Sequence, residues 1–459
     1  MWLAVLMSRT PAAAQEWTGN VLRPGEAGVT LGGDYGGYRS LWYDDVRLPL
    51  GAGVGGVFDP TTFPPLTGLP AAMEAFLATT DSVPFPVTDA DFIAGSLDAR
   101  LAANDRTGIA RLGIGVLPRV ELGIAGSIMR SERLPLRVEL MEGSLGVNPD
   151  RMGNADLLAL VDTVGGAALG SSAMLPLEGS RLGARLQEVV FAATGDSLAL
   201  PTAGPTLADL ATGSGFSPIP HEVSPIRVGD LELDARLELL RTFPGPYEPT
   251  EGDGTLNARL AVRGVVRLGV GEVPPRTPRT DWSPLAGHGG LGAGAILDLF
   301  GGRRLHLTLG ANWLRLDAAT LQLPLPVDGI PGTATGFTEA GFEPGATISY
   351  EAIPRLRLTE EISIGGTFRT VERAEGAWEI EGARTPIPER SARAAGFMIG
   401  YSSLAAYQAG RTRTPIEASI GFASVIDGSG GVPAARLATV RVTILRRLWG
   451  GSSESTPVE

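Results

Sequence analysis

The sequence predicts an all-β fold, a transmembrane antiparallel β-barrel of about 12 strands, with about 14 as the alternative. Three features predict it: an amino-terminal export signal, apolar residues at every second position of many segments, and links between segments that are either very short or very long. After the first residues, no segment approaches the ~18 consecutive apolar residues of a membrane helix. An exported chain of this kind could be periplasmic, secreted or an outer-membrane barrel, and side-chain alternation separates these possibilities.

The amino terminus predicts export. A short apolar stretch ends at Met7, and the alanines at 12 to 14 precede Gln15, which is the pattern of a signal-peptidase site. We therefore expect a signal peptide over residues 1–14; an apolar terminus that frays is the alternative. The barrel is expected to occupy 15–450, and 451–459 to form a disordered periplasmic tail.

Two neighbouring segments show the alternation most clearly. From Leu256 to Val270 every second residue is apolar or small, and Arg259, Arg263 and Arg267 lie between them. The segment before it alternates leucine and alanine with charged residues from 230 to 239. A strand with two such faces suits a wall between lipid and lumen. Similar patterns predict strands near 27–37, 95–117, 119–131, 226–241, 254–271, 288–300, 303–317, 341–352, 355–371, 392–406, 412–425 and 435–449.

The links between these strands predict the topology. Very short links are expected at 117–119, 300–303, 353–355 and 409–411, and these would be periplasmic turns. The long links are expected on the extracellular side. The longest is an insertion at 132–226, with possible short helices at 155–163 and 181–193. In this arrangement both chain ends lie in the periplasm.

Aromatic residues provide a second test, because they favour the two membrane interfaces. At the periplasmic ends of their strands we expect Phe300, Tyr407 and Trp449. Toward the outer ends we expect Trp313, Phe368 and Phe422. The alternative is a soluble β-sandwich whose aromatic residues simply end its strands.

The strongest polar feature is a pair of charge ladders on adjacent strands. The predicted lumen-lining residues are Asp230, Glu232, Asp234 and Glu238, then Arg259, Arg263 and Arg267, with His306 and Arg441 on other strands. Opposite charges on neighbouring antiparallel strands can pair across the lumen face. Such pairs would either fill and stiffen the interior or form an arginine-lined constriction that favours anions.

We find no motif for catalysis, for a metal or for a cofactor. The three histidines are His221, His288 and His306, and the sequence places no carboxylate or histidine at ligand spacing from any of them. There is no Gly-x-Ser-x-Gly elbow and no local serine and histidine arrangement. The sequence predicts neither an enzyme nor a bound cofactor.

The segments around 228–240, 260–268, 287–313 and 115–123 resemble bacterial outer-membrane β-barrel transporter-like proteins. In particular, they are similar to the putative outer-membrane proteins of the meta-pathway of phenol degradation. The shared features are the Gly229-Asp230 turn that opens a strand and the strand, short turn, strand unit around Pro118. The resemblance implies a barrel fold and a passive import role.

From these features we expect a monomer in the cell outer membrane that acts as a passive channel or transporter for small solutes, hydrophobic or aromatic ones among them. Its partners would be outer-membrane lipid and the solute, and nucleic acid is excluded by the net charge of -12 and the lack of basic runs. The alternative is a closed structural barrel whose segments 44–92 and 132–226 form an extracellular surface for binding or adhesion. A lipid-modifying barrel enzyme is a third and weaker reading.

Overall fold

The computed structural model describes residues 19–43, 46–49, 56–63, 66–80, 85–100, 102–133, 137–148, 172–206, 209, 222–223, 226–245, 247–249, 256–271, 287–327, 330–380 and 382–449. The predicted signal peptide, the predicted helix at 155–163, His221 and the predicted tail at 451–459 lie outside these residues. Among the described residues, no helix has both the length and the apolar character needed to cross a bilayer.

Twelve antiparallel strands close into a barrel, because the first strand pairs with both the second and the last. In chain order the strands are β1 (Glu26–Tyr38), β2 (Ala103–Leu117), β3 (Val120–Arg133), β4 (Leu231–Arg241), β5 (Leu256–Leu268), β6 (Gly290–Gly301), β7 (Leu305–Leu316), β8 (Thr347–Arg357), β9 (Ile362–Arg373), β10 (Arg390–Ser402), β11 (Ile416–Ser429) and β12 (Arg436–Arg447). Each pairs with its neighbour in the sequence. The predicted number of strands and the antiparallel order are confirmed.

The outer surface of the barrel is an apolar belt. Every strand contributes exposed large apolar side chains at alternate positions: Val29, Leu112, Ile124, Leu233, Val266, Leu291, Leu309, Ile348, Phe368, Phe397, Phe422 and Val440, one from each strand in order. Contact between such a belt and water would be unfavourable, whereas contact with the acyl chains of a membrane avoids this hydration. The alternation therefore confirms a barrel that lies in the outer membrane. Phe300 lies at the periplasmic end of β6, as predicted, but it points inward and is only 4% exposed, so it does not contribute to an interface belt.

The end of the barrel that carries the short turns faces the periplasm. Its links are 118–119, 242–255, 302–304, 358–361 and 403–415. The predicted turn at 353–355 is wrong, because β8 continues through Pro354 to Arg357. The predicted turn at 409–411 is part of a longer link that contains the helix α3 (Leu404–Gln408).

The extracellular links build small sheets and helices above the barrel. Four strands form one sheet: Ala319–Val327, Ile330–Glu343, Gly376–Ile380 and Ala383–Ile387. A three-stranded sheet contains Ser40–Tyr43, Val46–Pro49 and Val432–Pro433. Another three-stranded sheet contains Gly56–Phe58, Gly95–Arg100 and Arg137–Glu142. Leu145–Val147 pairs with Met174–Pro176, and Glu222–Val223 and Arg227–Val228 extend the edge of β3.

Two of these links share a hydrophobic core, and we call this unit the extracellular cap. It contains the helices α1 (Leu69–Thr80) and α2 (Arg181–Thr194), and a short 3-10 helix, Asp89–Phe92. The buried residues Phe63, Met73, Phe92, Leu145 and Leu186 belong to its core. The predicted helix at 181–193 is confirmed, whereas α1 lacked a clear signal in the sequence.

An ion pair between α2 and the 3-10 helix holds the cap together. Arg181 Nε donates to Asp91 Oδ1 at 3.2 Å. Burial alone would raise the pKa of Asp91, but the hydrogen bonds from Arg181 and Thr88 outweigh it and lower the pKa below 3.8. A carboxyl group with a depressed pKa stabilises the fold fully above its unfolded value and loses this effect as pH falls through the folded pKa.

We expect Asp91→Asn to destabilise the cap by about 1 kcal/mol at pH 7, because Arg181 is half exposed and its ion pair is screened. The readout is amide hydrogen exchange in α2, measured at pH 7 and at pH 3. The variant should exchange faster than wild type at pH 7, and the difference should shrink at pH 3. Equal protection at pH 7 would show that this pair does not hold α2.

Candidate functional site

One half of the barrel interior, formed by β2 to β7, carries a dense network of charged side chains, which we call the charged wall. At its centre Arg111 Nη2 donates to Glu121 Oε1 and to Asp234 Oδ2, both at 2.7 Å. Glycine makes room for this guanidinium group. A Cβ at Gly123 would lie 2.5 Å from Arg111 Nη2, and one at Gly113 would lie 2.6 Å from Glu121 Oε1.

A second cluster surrounds Asp298, which is fully buried. The carboxylate accepts hydrogen bonds from Arg259 Nε at 3.2 Å, Thr308 Oγ1 at 2.7 Å and the Gly19 amide at 2.8 Å. His306 Nε2 lies 3.0 Å from Asp298 Oδ1, and the imidazole stacks on Phe300 with ring centroids 4.4 Å apart. The ion pair between Arg259 and Asp298 is 1% and 0% exposed, so both charges are buried.

The register explains why Arg259 does not pair with the acidic ladder. Its partner across β4 is Arg241, whereas its partner across β6 is Asp298. Like charges in opposite positions repel, so the Arg259 side chain pairs with β6.

The other ladder arginines face β4. Arg267 Nε donates to Asp230 Oδ2 at 2.9 Å, and Asp230 Oδ1 accepts from the Gly271 and Gly287 amides. Arg263 Nη2 lies 3.6 Å from Asp234 Oδ1 and 3.9 Å from Glu232 Oε2. Asp230 therefore ties the extracellular link 269–289 to the charged wall.

The remaining predicted residues lie apart. Glu238 is near the periplasmic end, 3.2 Å from Arg241 Nε and 3.7 Å from Arg119 Nε. Arg441 is on β12, on the opposite side of the barrel, where β8 to β12 and β1 form what we call the open wall. His306 has a carboxylate partner, which the sequence did not reveal. In the part of the chain that the structure describes, no group of three or more His, Cys, Asp or Glu residues could hold a metal ion.

Residues 19–25, which precede β1, enter the lumen, and we call them the plug. The Gly19 amide donates to Asp298, and the Leu22 amide donates to Glu121 Oε2 at 3.0 Å. A Cβ at Gly115 would lie 2.0 Å from the Arg23 carbonyl oxygen, so the chain passes directly against β2. The plug therefore occupies the periplasmic half of the lumen.

Residues 242–245 and 247–249 of the link that follows β4, together with α3, cover the plug from the periplasmic side. Tyr247 is fully buried, and its hydroxyl donates to Glu26. Arg259 Nη1 donates to the Tyr247 carbonyl oxygen at 2.7 Å, and Arg357 Nη2 lies 2.7 Å from Glu248 Oε1. Leu22, Tyr247 and Leu404 belong to one small apolar cluster. The plug is thus clamped between the charged wall and this link.

Among the described residues, two cavities lie beside the plug. The larger, of about 140 Å³, lies between the charged wall and the open wall, next to Asn20 and Leu22. The smaller, of about 50 Å³, lies nearer the periplasm, between Tyr247, His306 and Arg355. Glu417 and Arg355 border both cavities.

Sequence reasoning missed several of these residues. Asp298 is the only charged residue in an otherwise apolar and glycine-rich strand. It could have been identified because it occupies one of the alternate positions of β6 that face the lumen. Arg111 and Glu121 occupy lumen-facing positions of β2 and β3, so the alternation of side chains along these strands could have identified them also. The plug and Tyr247 lie outside any alternating segment, so no periodic pattern marks them.

No protein-family model matches the chain, and no curated protein matches it in sequence. Solved structures to which the chain shows similarity include the COG4313 outer membrane channel from Pseudomonas putida F1, at 9% identity and a TM-score of 0.43 over 94% of this chain and 99% of that one. A toluene transporter, TbuX of Ralstonia pickettii, is 8% identical, with a TM-score of 0.30 over 93% and 90% of the two chains. A Pseudomonas aeruginosa FadL homologue is 10% identical, with a TM-score of 0.25 over 93% of each. With TM-scores below 0.5, these similarities support no conclusion about this chain.

Proposed function

We propose that this protein is a passive outer-membrane channel for small solutes, hydrophobic or aromatic compounds among them, and that it acts as a monomer. The observation that supports this most is the incomplete filling of the lumen. A barrel that served only as an anchor could fill its interior with side chains. Here a peptide segment fills the periplasmic half, held in part by the amide hydrogen bonds of Gly19 and Leu22, and cavities of about 140 and 50 Å³ remain beside it.

The two walls differ in a way that suits passage. The charged wall is tightly paired, and Arg259 and Asp298 are almost wholly buried. The open wall next to the larger cavity combines small residues, among them Gly28, Thr30 and Ser419, with the charged residues Arg355, Glu417 and Arg441. Movement of the plug would therefore widen the lumen on the open side and leave the charged wall intact.

The second candidate is a closed barrel that anchors a binding surface. The observation in its favour is the extracellular cap, whose helices α1 and α2 share a core with Phe63, Leu145 and Leu200. A cap with its own core can present a fixed surface to the exterior. The two candidates differ in conductance, since a pure anchor remains silent.

The test is conductance of the purified protein in planar bilayers, together with swelling of liposomes in solutions of small solutes. We expect small, intermittent currents from the wild type. Silence at every salt concentration, with no swelling for any solute, would support the anchor and contradict the channel.

Tyr247→Phe should increase the time that the channel spends open. Burial, foremost, and the nearby Glu26 carboxylate raise the pKa of Tyr247, so the hydroxyl remains a donor to Glu26 at neutral pH. Its loss costs about 1 kcal/mol of contact between the link 242–255 and β1. Single-channel recording measures the open fraction, which we expect to rise several-fold. Tyr350→Phe is the matched control, because Tyr350 is exposed on the outer belt. An unchanged open fraction in Tyr247→Phe would show that this contact does not retain the plug.

A further inference from the structure

Two arginines lie opposite each other on the outer surface of the barrel, near its extracellular end. Arg106 on β2 is in register with Arg130 on β3, and both are exposed. They face away from the lumen, because they occupy the same alternate positions as Leu112 and Ile128 of the apolar belt. Like charges in directly opposite positions destabilise a strand pair. An anion that contacts both guanidinium groups would relieve this repulsion.

Neighbouring strands extend this surface, and we call Tyr35, Arg106, Arg130 and Arg436 the arginine patch. The guanidinium carbon of Arg106 lies 5.9 Å from the centre of the Tyr35 ring on β1. Arg436 on β12 is exposed, and the register places it on the same outer face. One acid, Glu132, comes two residues after Arg130 on β3. Three arginines and one acid leave the patch positive even if Glu132 pairs with one of them.

Outward arginines are concentrated at the extracellular end of the barrel. Besides the patch, Arg315 on β7 and Arg393 on β10 occupy outward positions there. At the periplasmic ends of the twelve strands, one arginine does so, Arg446. Three acids occupy outward register positions at the extracellular level: Glu132, Glu372 and Asp427. The excess of positive charge is therefore on the side where an outer membrane carries the phosphate groups of lipopolysaccharide.

Apolar side chains continue from the arginine patch toward the middle of the membrane. Ile128 comes two residues before Arg130, and Leu112 and Leu31 lie on the two neighbouring strands. All three apolar side chains are exposed on the outer surface. An anionic group held at the patch would therefore place attached hydrocarbon chains against the apolar belt. A free phosphate ion would lack this second contact.

We propose that the arginine patch binds a phosphate group of lipopolysaccharide in the outer leaflet, so that the barrel carries a bound lipid on β2 and β3. Arg106 and Arg130 would hold the phosphate, because the N–H donors of a guanidinium group match phosphate oxygens in pairs. Tyr35 would orient the Arg106 side chain at the interface. Arg436 would add attraction from β12. The acyl chains would lie along Ile128 and the belt below it. This site is outside the lumen and does not depend on the channel function.

Arg130→Glu is the variant that separates binding from folding. It places a carboxylate opposite Arg106, and opposite charges in this position stabilise a strand pair. Lipid binding should therefore be lost without any weakening of the contact between β2 and β3. Arg315→Gln is the matched control, because Arg315 is an exposed outward arginine at the same end of the barrel. Its register partner is Leu291, so no second arginine lies opposite it.

The experiment measures binding of lipid A, the phosphorylated and acylated part of lipopolysaccharide, to the full-length protein. The protein is held in phosphatidylcholine nanodiscs with increasing contents of lipid A, and native mass spectrometry reports the bound lipid. Dephosphorylated lipid A has the same chains without phosphate, and inorganic phosphate is the anion without chains. The temperature at which the barrel unfolds on a gel, measured without lipid A, reports the stability of each variant.

We expect wild type and Arg315→Gln to retain one lipid A per barrel. Dephosphorylated lipid A should bind to wild type about tenfold more weakly, and lipid A should bind to Arg130→Glu about tenfold more weakly. The unfolding temperature of Arg130→Glu should equal or exceed that of wild type. Inorganic phosphate should not displace the lipid, because the apolar belt holds the acyl chains.

Four results would overturn this site. Equal binding of lipid A by wild type and Arg130→Glu would do so, and so would equal binding of the two forms of lipid A. An equal loss of binding in Arg130→Glu and Arg315→Gln would mean that overall charge attracts the lipid and that β2 and β3 carry no specific site. Displacement of lipid A by free phosphate would reduce the patch to a site for a small anion. An unfolding temperature of Arg130→Glu far below that of wild type would contradict the repulsion between Arg106 and Arg130.

Discussion

Asp298→Asn should lower the free energy of unfolding by about 3–5 kcal/mol, because it leaves the Arg259 guanidinium buried without its counter-charge. Arg259 is 1% exposed, and Asp298 also receives hydrogen bonds from Thr308 and the Gly19 amide. The asparagine keeps the shape of the carboxylate, so the loss of charge is the main change. The measurement is urea-induced unfolding of the barrel in lipid vesicles, followed by tryptophan fluorescence.

Asp427→Asn is the matched control for this result. Asp427 also pairs with an arginine, Arg393, at 3.1 Å, but that pair lies at the outer surface and the arginine is 68% exposed. Solvent-exposed ion pairs contribute about 0–1 kcal/mol, so the control should remain close to wild type. If Asp298→Asn were as stable as Asp427→Asn, water in the lumen would have to hydrate Arg259, and the charged wall could not be the rigid side of the barrel.

The architecture of the barrel could be predicted from the sequence because each wall residue faces one of two solvents. Lipid on one face and the lumen on the other impose a period of two, and β4 and β5 display it with leucine and valine against aspartate, glutamate and arginine. In β6 the same period of two is present, but three of the inward residues are glycines and only one is charged, so the alternation is harder to recognise in the sequence. The strand count and the end at which each link lies follow from this period.

The error at Pro354 has a local cause. Proline lacks the amide hydrogen that a strand interior needs and usually indicates a turn or a strand edge. In the structure β8 tolerates it because the pairing with β9 is interrupted between Ala352 and Arg355, so the missing donor falls in the gap. The opposite ladder is continuous, with Pro354 paired to Leu307.

The candidate site was predicted only in part, because some of its contacts join residues that are far apart in the sequence. Arg267 and Asp230 lie at the ends of adjacent strands, so a sequence pattern can pair them. The contact of Gly19 with Asp298 joins residues 279 positions apart, and the plug has no alternation. The pairing of each arginine also depends on the strand register. Arg259, for example, pairs with Asp298 on β6 and not with an acid on β4.

Removal of the plug should have the largest effect on function. A variant that lacks residues 16–22 retains β1 and all other barrel strands, and loses the two amide hydrogen bonds to Asp298 and Glu121. With residues 19–22 of the plug absent from the periplasmic half of the lumen, we expect single-channel conductance to rise several-fold and liposome swelling to accelerate for every small solute. A deletion of 451–457 at the other terminus is the control and should conduct as wild type does. Equal conductance in the two deletions would mean that side chains, and not the plug, set the narrowest point.

The two expected results are linked through Asp298, and a double variant distinguishes how. If Asp298 holds the plug through the Gly19 amide, Asp298→Asn should itself raise the open fraction, and adding it to the plug deletion should give no further increase in conductance. Residues that act through one contact are non-additive, whereas independent sites add. An additive double variant would instead mean that Asp298 affects conductance by loosening the charged wall. In that case the wall would be part of the gate, and the lumen would have no rigid side against which a solute could slide.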